Sequence, residues 1–240
     1  MNPFVLIIGG LLLIIEALVK SFAHKALAKP IIMREPVLFL FAHADDDAMF
    51  YVPTIESLKR KSIPFSMVLF SSNETRKQEF QNACKGYGCE NSYIADPQTF
   101  KDGFQENWDI MKIAQEVQEI VERDGIQTII TFDKNGISGH PNHINLFKAL
   151  PMIHTLVPHV SLYTLTSKNI IRKYSHTIDC LCSVFLDSIK QDNITTLLES
   201  SHEAYEYMKY YPSQLNWYRY LYLFTSTYTM INKLELFNSN

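Results

Sequence analysis

The feature that most limits what this chain can fold into is a set of short apolar runs separated by amphipathic stretches. Val37 to Ala42, Phe65 to Phe70, Gln127 to Phe132 and Val160 to Leu165 are runs of strand length, and Ser92 to Ala95 is a shorter fifth. A strand that is apolar on both faces must be covered on both, which is the habit of parallel sheets. The stretches between them read as helices. Asp47 to Lys61 is one, with Pro53 placed to kink it or to sit in its first turn. Asn73 to Lys85 is a second, stopped near Gly86 and Gly88. Trp108 to Arg123 carries Ile110, Ile113, Ala114, Val117, Ile120 and Val121 on one face, and Pro141 to His154 opens with proline in its first turn. Strand and helix alternate, so the expected fold is α/β: a Rossmann-like, doubly wound, mostly parallel sheet with helices on both faces, occupying residues 37–240 as one domain.

In such sheets, working residues gather where strands end. Directly after the first run comes His43-Ala44-Asp45-Asp46-Asp47. Adjacent carboxylates repel, and are tolerable beside a cation or the positive end of a helix. An over-supplied helix cap explains this segment about as well. After the third long run comes Asp133 to His143, in which His140 and His143 are three apart and share one helix face. That pair alone is weak evidence. Joined to the first segment, it supplies two histidines and one aspartate from the ends of two strands, the donor count of a catalytic zinc site with one open position. A carboxylate remains to act as base. No G-x-G-x-x-G or P-loop follows any strand, which argues against a nucleotide site.

The N-terminus is unlike the rest. Phe4 to Val19 is apolar except for Glu16, about the length that crosses a bilayer. No basic residue precedes the run and Ala26-Leu27-Ala28 makes a poor cleavage site, while a core helix would not lie ahead of the first strand and be apolar all round, so residues 1–20 are expected to be a membrane anchor rather than a signal peptide or a core helix. Lys20, Lys25, Lys29 and Arg34 follow the run, making residues 21–36 a basic linker and placing the domain on the cytosolic side. The sequons at Asn73 and Asn193 are then expected to carry no sugar. Cys84, Cys89, Cys180 and Cys182 are expected to be reduced. The net charge of −3 gives no reason to expect a nucleic-acid partner. Trp217 to Tyr228, rich in Trp and Tyr, suits either a terminal helix packed on the core or a membrane interface, and core packing is the expectation.

The two polar segments resemble the paired signature of the PIG-L/LmbE-like deacetylases, A-H-P-D-D-E followed by H-P-D-H. Here they read Ala42-His43-Ala44-Asp45-Asp46-Asp47 and His140-Pro141-Asn142-His143. The stretches NETRKQEF from Asn73, TFDKNGISGH from Thr131 and SQLNWYRYLYLFTSTYTMIN from Ser213 resemble the eukaryotic branch, as does the apolar N-terminus. The resemblance implies removal of acetate from N-acetylglucosaminyl-phosphatidylinositol, the second step of glycosylphosphatidylinositol-anchor synthesis. That places the chain at the endoplasmic reticulum membrane as a single-pass protein, with a membrane phospholipid as substrate. Carried over by position, His43, Asp46 and His143 bind Zn2+ or another divalent ion. Asp45 is the general base and a protonated His140 assists beside the substrate carbonyl. Arg76 faces the inositol side of the substrate, or else pairs with Glu74 or Glu79. Asp133 orients a catalytic histidine or caps its own loop.

Three positions depart from the pattern: Ala44 stands for proline, Asp47 for glutamate, and only Ser71-Ser72 precedes Asn73. They keep two rivals in view. One is a deacetylase of a soluble N-acetylglucosaminyl conjugate, and the other is a weakened member that binds lipid or a partner.

Overall fold

The computed structural model describes residues 33–187, 193–198 and 201–238. The expected anchor, residues 1–20, lies outside them, as does the linker up to residue 32. Among the described residues, no helix is long and apolar enough to cross a membrane.

Strand β1, Val37–His43, is buried along its whole length in the interior of a seven-stranded sheet. It pairs in parallel with β2 (Phe65–Ser71) on one side, Val37 facing Phe65, and with β4 (Thr128–Phe132) on the other, Val37 facing Thr128. Beyond β2 lies β3 (Ser92–Ile94) and beyond β4 lies β5 (Ser161–Leu165), both parallel. The order 3-2-1-4-5 reverses direction between β1 and β4, which opens a crevice at their carboxyl ends. The mostly parallel α/β sheet expected from the apolar runs is therefore present.

Each helix starts and stops for a local reason. Helix α1, Val52–Arg60, does not begin at Asp47. A π-helical turn, Asp47–Tyr51, comes first, and Pro53 sits in the first turn of α1. Pro53 has no N–H to give the Met49 carbonyl, which accepts the Tyr222 hydroxyl instead at 3.1 Å. Helix α2, Glu74–Tyr87, is capped by the Asn73 side chain and ends at Gly88 with φ of 78°. Helix α3, Ile110–Asp124, starts two residues later than expected. Asp109 caps it, and the Trp108 indole turns away to donate to the Lys101 carbonyl at 2.8 Å. Helix α4, Pro141–Leu156, has His140 as its cap. Aromatic rings fill the space beneath: Phe39, Phe41, Tyr51 and Phe80 meet edge to face around β1.

The C-terminal third departs from simple alternation. After helices α5 (Ile170–Lys173) and α6 (His176–Asp187) come β6 (Asn193–Leu197), α7 (His202–Met208), α8 (Trp217–Thr225) and β7 (Ile231–Leu236). Strand β7 inserts antiparallel between β5 and β6. Asn232 of β7 is fully buried, and its amide bridges the start of α1. Oδ1 accepts from Thr54 N at 3.2 Å and Thr54 Oγ1 at 2.8 Å, while Nδ2 donates to the Phe50 carbonyl at 2.7 Å.

Core packing of the aromatic C-terminal run holds for one face of α8 only. Tyr222 and Leu223 are buried, whereas Trp217, Leu221 and Phe224 are exposed. The cysteines also differ from expectation. Gly88 folds the chain back after α2, bringing Cys89 to a Cα separation of 5.0 Å from Cys84, and the two form a disulfide. Cys180 and Cys182 are free.

Candidate metal centre

The ends of β1 and β4 bring the two polar segments together, so His43, Asp45, Asp46, His140 and His143 line one open cavity of about 690 Å³. Asp46 is buried, and its Oδ2 accepts from two backbone amides, Ala42 N at 3.0 Å and His43 N at 2.8 Å. That fixes the carboxylate and leaves Oδ1 aimed at His143 Nε2, 3.3 Å away. His143 donates from Nδ1 to the Gly136 carbonyl at 3.0 Å, which leaves the Nε2 lone pair free. Gly136 makes this contact possible: with φ of +57°, a Cβ there would lie 2.9 Å from His143 Cβ. His43 is set in the opposite sense. Its Nε2 faces two acceptors, Asn142 Oδ1 at 3.2 Å and Asp102 Oδ1 at 3.1 Å, so the hydrogen-bond network puts the proton there. Its Nδ1 then turns toward His143 Nε2 at 3.2 Å.

Two imidazole lone pairs and one carboxylate oxygen thus converge with no donor between them. Four donors around Zn2+ at roughly 2.0–2.1 Å stand about 3.3 Å apart, so the separations of 3.2 and 3.3 Å fit such an ion. His43, His140 and His143 also offer nitrogens within 4.8 Å of one another. The set with Asp46 fits a small ion more closely. The field at this point is negative and would favour any cation, proton or metal ion: the His43 pKa is raised, because burial opposes the charge but Asp102 and Asp46, helped by the Asn142 hydrogen bond, outweigh it.

Asp45 stands beside this group. It is buried in a left-handed conformation, φ 101°, rare for a residue with a side chain. Its Oδ2 is 2.6 Å from an Arg219 nitrogen on α8. Burial pushes the Asp45 carboxyl up to about 7, with Arg219 pulling the other way. Asp47 points away from the cavity. It is fully buried, accepts the Tyr211 hydroxyl at 2.7 Å and is pushed up to about 6 by burial.

His140 accepts from Asn142 N through Nδ1 at 3.3 Å, as the cap of α4. A capping Nδ1 carries no proton, so the imidazole is the neutral tautomer with its proton on Nε2. Burial, followed by His43 and His143, lowers its pKa to about 4. The expected charged helper is therefore held neutral. Arg76 lies in the cavity wall and pairs with neither glutamate. It reaches Asp102 Oδ2 at 3.4 Å and Gln214 Oε1 at 3.0 Å. Glu79 instead accepts from Ser213 N and Oγ, and Glu74 lies 3.8 Å from Lys77. Asp133 meets no histidine. Its oxygens accept from Ser167 N at 2.7 Å, Ser167 Oγ at 2.6 Å and Asn135 N at 3.0 Å, tying the loop after β4 to the loop after β5. The Gly136 carbonyl takes the orienting place instead.

Three residues at the site were not singled out from the sequence. Asp102 joins His43 to Arg76, and its pKa is lowered to about 2, chiefly by the hydrogen bond to His43. Asn142 also accepts from Gly103 N at 3.2 Å, so it links His43 to the Asp102 loop. Arg219 comes from the far C-terminal helix. A lone acid in a loop and an arginine among aromatics carry no local signal that would have found them.

Comparisons with known proteins agree with this layout. The PIG-L family profile, described as GlcNAc-PI de-N-acetylase, matches residues 38–153. A Bos taurus N-acetylglucosaminyl-phosphatidylinositol de-N-acetylase is 34% identical over 210 residues, 82% of each chain. A Schizosaccharomyces pombe chain named as a probable enzyme of the same kind is 33% identical over 216 residues, 84% of this chain and 86% of its own. Among solved structures, A40926 pseudoaglycone deacetylase Dbv21 superposes with a TM-score of 0.57 at 10% identity, covering 85% of this chain and 98% of its own. The zinc-inhibited form of teicoplanin deacetylase Orf2 gives 0.55 at 8% identity, covering 85% and 99%. These two share the fold. With the two histidine–aspartate segments meeting at one crevice and relatives matching at this identity over most of its length, the chain belongs to the PIG-L family.

Proposed function

We propose that this chain hydrolyses the N-acetyl group of N-acetylglucosaminyl-phosphatidylinositol in glycosylphosphatidylinositol-anchor synthesis. The reading places it at the endoplasmic reticulum membrane, with residues 1–20 as anchor, 21–36 as linker and 37–240 as a cytosolic catalytic domain. The observation that carries it is the convergence of His43 Nδ1, His143 Nε2 and Asp46 Oδ1 beside a carboxylate, Asp45, that is not spent on the same point. The names of the relatives supply the substrate.

His43, Asp46 and His143 hold the metal, for which zinc suits the nitrogen and oxygen donors and other divalent ions remain compatible. When bound, such an ion polarises a carbonyl oxygen and acidifies water. The side chains do the rest. Asp45, held by Arg219, takes a proton from the attacking water and returns it to the departing amine, so that acetate and the free glucosaminyl lipid result. A carboxyl near 7 suits both transfers. His140, with its proton on Nε2, donates to the developing oxyanion as a neutral hydrogen-bond donor. Arg76 and Asp102 line the cavity where the inositol and its hydroxyls are read, the guanidinium through forked hydrogen bonds. Asp102 also steadies His43 through Nε2, as carboxylates steady metal-ligating histidines elsewhere.

Acetate release tests the reading. Purified chain is given either N-acetylglucosaminyl-phosphatidylinositol in detergent micelles or a water-soluble N-acetylglucosaminyl conjugate. Turnover of the lipid supports it. Turnover of the soluble conjugate alone moves the chain to the other substrate class, and no turnover of either with metal supplied sinks the hydrolase reading.

A further inference from the structure

Large apolar side chains are exposed on the two helices that border the cavity, α8 through Leu221 and Tyr222 and α5 through Lys173. On α8, Trp217 is 78% exposed and Phe224 74%, with Leu221 between them at 57%. Helix α5 has no buried residue, and Ile170 and Ile171 are 74% and 78% exposed. The two helices meet at the cavity, where Tyr174 touches Tyr222 and Tyr174 and Leu221 both form part of the wall. Single exposed apolar residues are ordinary, but a patch of this kind marks an interaction surface.

One cation sits within it. Lys173 lines the cavity with its ammonium 5.9 Å from the Phe50 ring centre and 5.7 Å from that of Tyr174. Among the described residues no carboxylate pairs with it, whereas the neighbouring Arg172 and Lys168 are both taken by Asp179.

From this arrangement we infer that α5 and α8 form a docking surface for an anionic phospholipid bilayer, with Lys173 between them facing the lipid phosphates. The inference rests on the proposed lipid substrate and deepens it. The position of the mouth decides among occupants. A folded partner or second copy seated on both helices would close the cavity, while a bilayer seated there delivers its own lipid into it. Indole and phenol rings favour the depth of the headgroups, and Trp217 with Tyr218 at the start of α8 supplies both. An unpaired lysine beside them is attracted to an anionic leaflet. Chain connectivity allows it. The mouth lies about 20 Å from the N-terminal edge of β1 at strand spacing, and residues 21–36 can extend up to roughly 50 Å.

Trp108 and Trp217 are the two tryptophans of the chain, and Trp108 is buried. The emission of Trp217 is therefore read as the difference between full-length wild type and Trp217→Phe, both reconstituted in phosphatidylcholine–phosphatidylinositol vesicles. The expected result is blue-shifted emission, strong quenching by lipids brominated on their acyl chains, and little quenching by aqueous iodide. Ile171→Glu and Phe224→Glu should each cut bromolipid quenching severalfold. Quenching by iodide alone would place the face in water and overturn the inference. Protection from both quenchers would mean that the N-terminal apolar run or a second copy covers the face, and would overturn it equally. None of these readings depends on turnover, so failure here leaves the deacetylase proposal standing, and failure of that proposal leaves this result interpretable.

Discussion

The buried amide of Asn232 offers a sharp test of how the C-terminal strand supports the site. It spans residues 50 and 54, a pair that an α-helix would join directly, at the junction where the π-turn carrying Asp47 to Tyr51 passes into α1. Replacing it with leucine keeps the volume but removes its three closest bonds, to Thr54 N, Thr54 Oγ1 and the Phe50 carbonyl, and a longer one of 3.4 Å to the Tyr228 carbonyl. Thr54 Oγ1 keeps Thr196 at 3.2 Å. At about 1 kcal/mol for each of the three closest bonds, Asn232→Leu should cost about 3 kcal/mol. For a domain of this size that is a fall in melting temperature of about 6–12 °C. Asn232→Asp discriminates further. It retains the oxygen that Thr54 uses, yet sets a second oxygen against the Phe50 carbonyl and buries a charge, so it should melt lower than the leucine variant although it keeps more hydrogen bonds. Thermal unfolding of the full chain in detergent, followed by circular dichroism, measures both. If the aspartate variant melts within about 2 °C of wild type, the amide is not what closes this junction and the argument is wrong.

Other consequences follow from the site and the thiols. Arg219→Gln should lower kcat by about a hundredfold with little change in KM, because it frees the Asp45 carboxylate rather than a substrate contact. Arg219→Lys should recover part of the loss, and a glutamine variant with wild-type kcat would refute the positioning role. Asp102→Asn should loosen metal retention by about 10–100-fold in chelator competition, since it weakens the hold on His43 Nε2; unchanged affinity would contradict that. Burial pushes the Cys180 thiol up to about 12, so at pH 8 almost none is thiolate and the native chain should alkylate at Cys182 alone. Cys84 and Cys89 should react only after reduction, which peptide mass mapping reads directly.

How much of this could be read from the chain depends on the range of the interactions. The parallel core was legible because β1, β2 and β4 are apolar on both faces, and that pattern is local. The crevice between β1 and β4 followed from topology, and the two polar segments declared themselves by position. Strands β6 and β7 were not legible. INKLEL alternates too weakly for a strand signal, and its neighbours in the sheet are far away in sequence. The start of α1 was misplaced because Pro53 permits two solutions, and the choice is made by Tyr222 and Asn232, which lie beyond position 220. The same holds at the site. His43 and Asp45 are marked by their neighbours, but the partners that set the tautomer of the one and the charge of the other, Asp102 and Asn142 for His43 and Arg219 for Asp45, are brought in by tertiary structure. Asp133 shows the converse: its place after a strand suggested service to a histidine, and folding gave it to Ser167.

The central claim is that Asp45 works as the base beside a metal held by His43, Asp46 and His143. The direct measurement is acetate release from N-acetylglucosaminyl-phosphatidylinositol by wild type and Asp45→Asn, each stripped with chelator and then reloaded with zinc to a verified metal content. The account predicts that wild type loses turnover on stripping and regains it with zinc. Asp45→Asn should bind as much metal and turn over at least about a hundredfold more slowly. Turnover that survives complete stripping, or a metal-loaded Asp45→Asn that matches wild type, would contradict it.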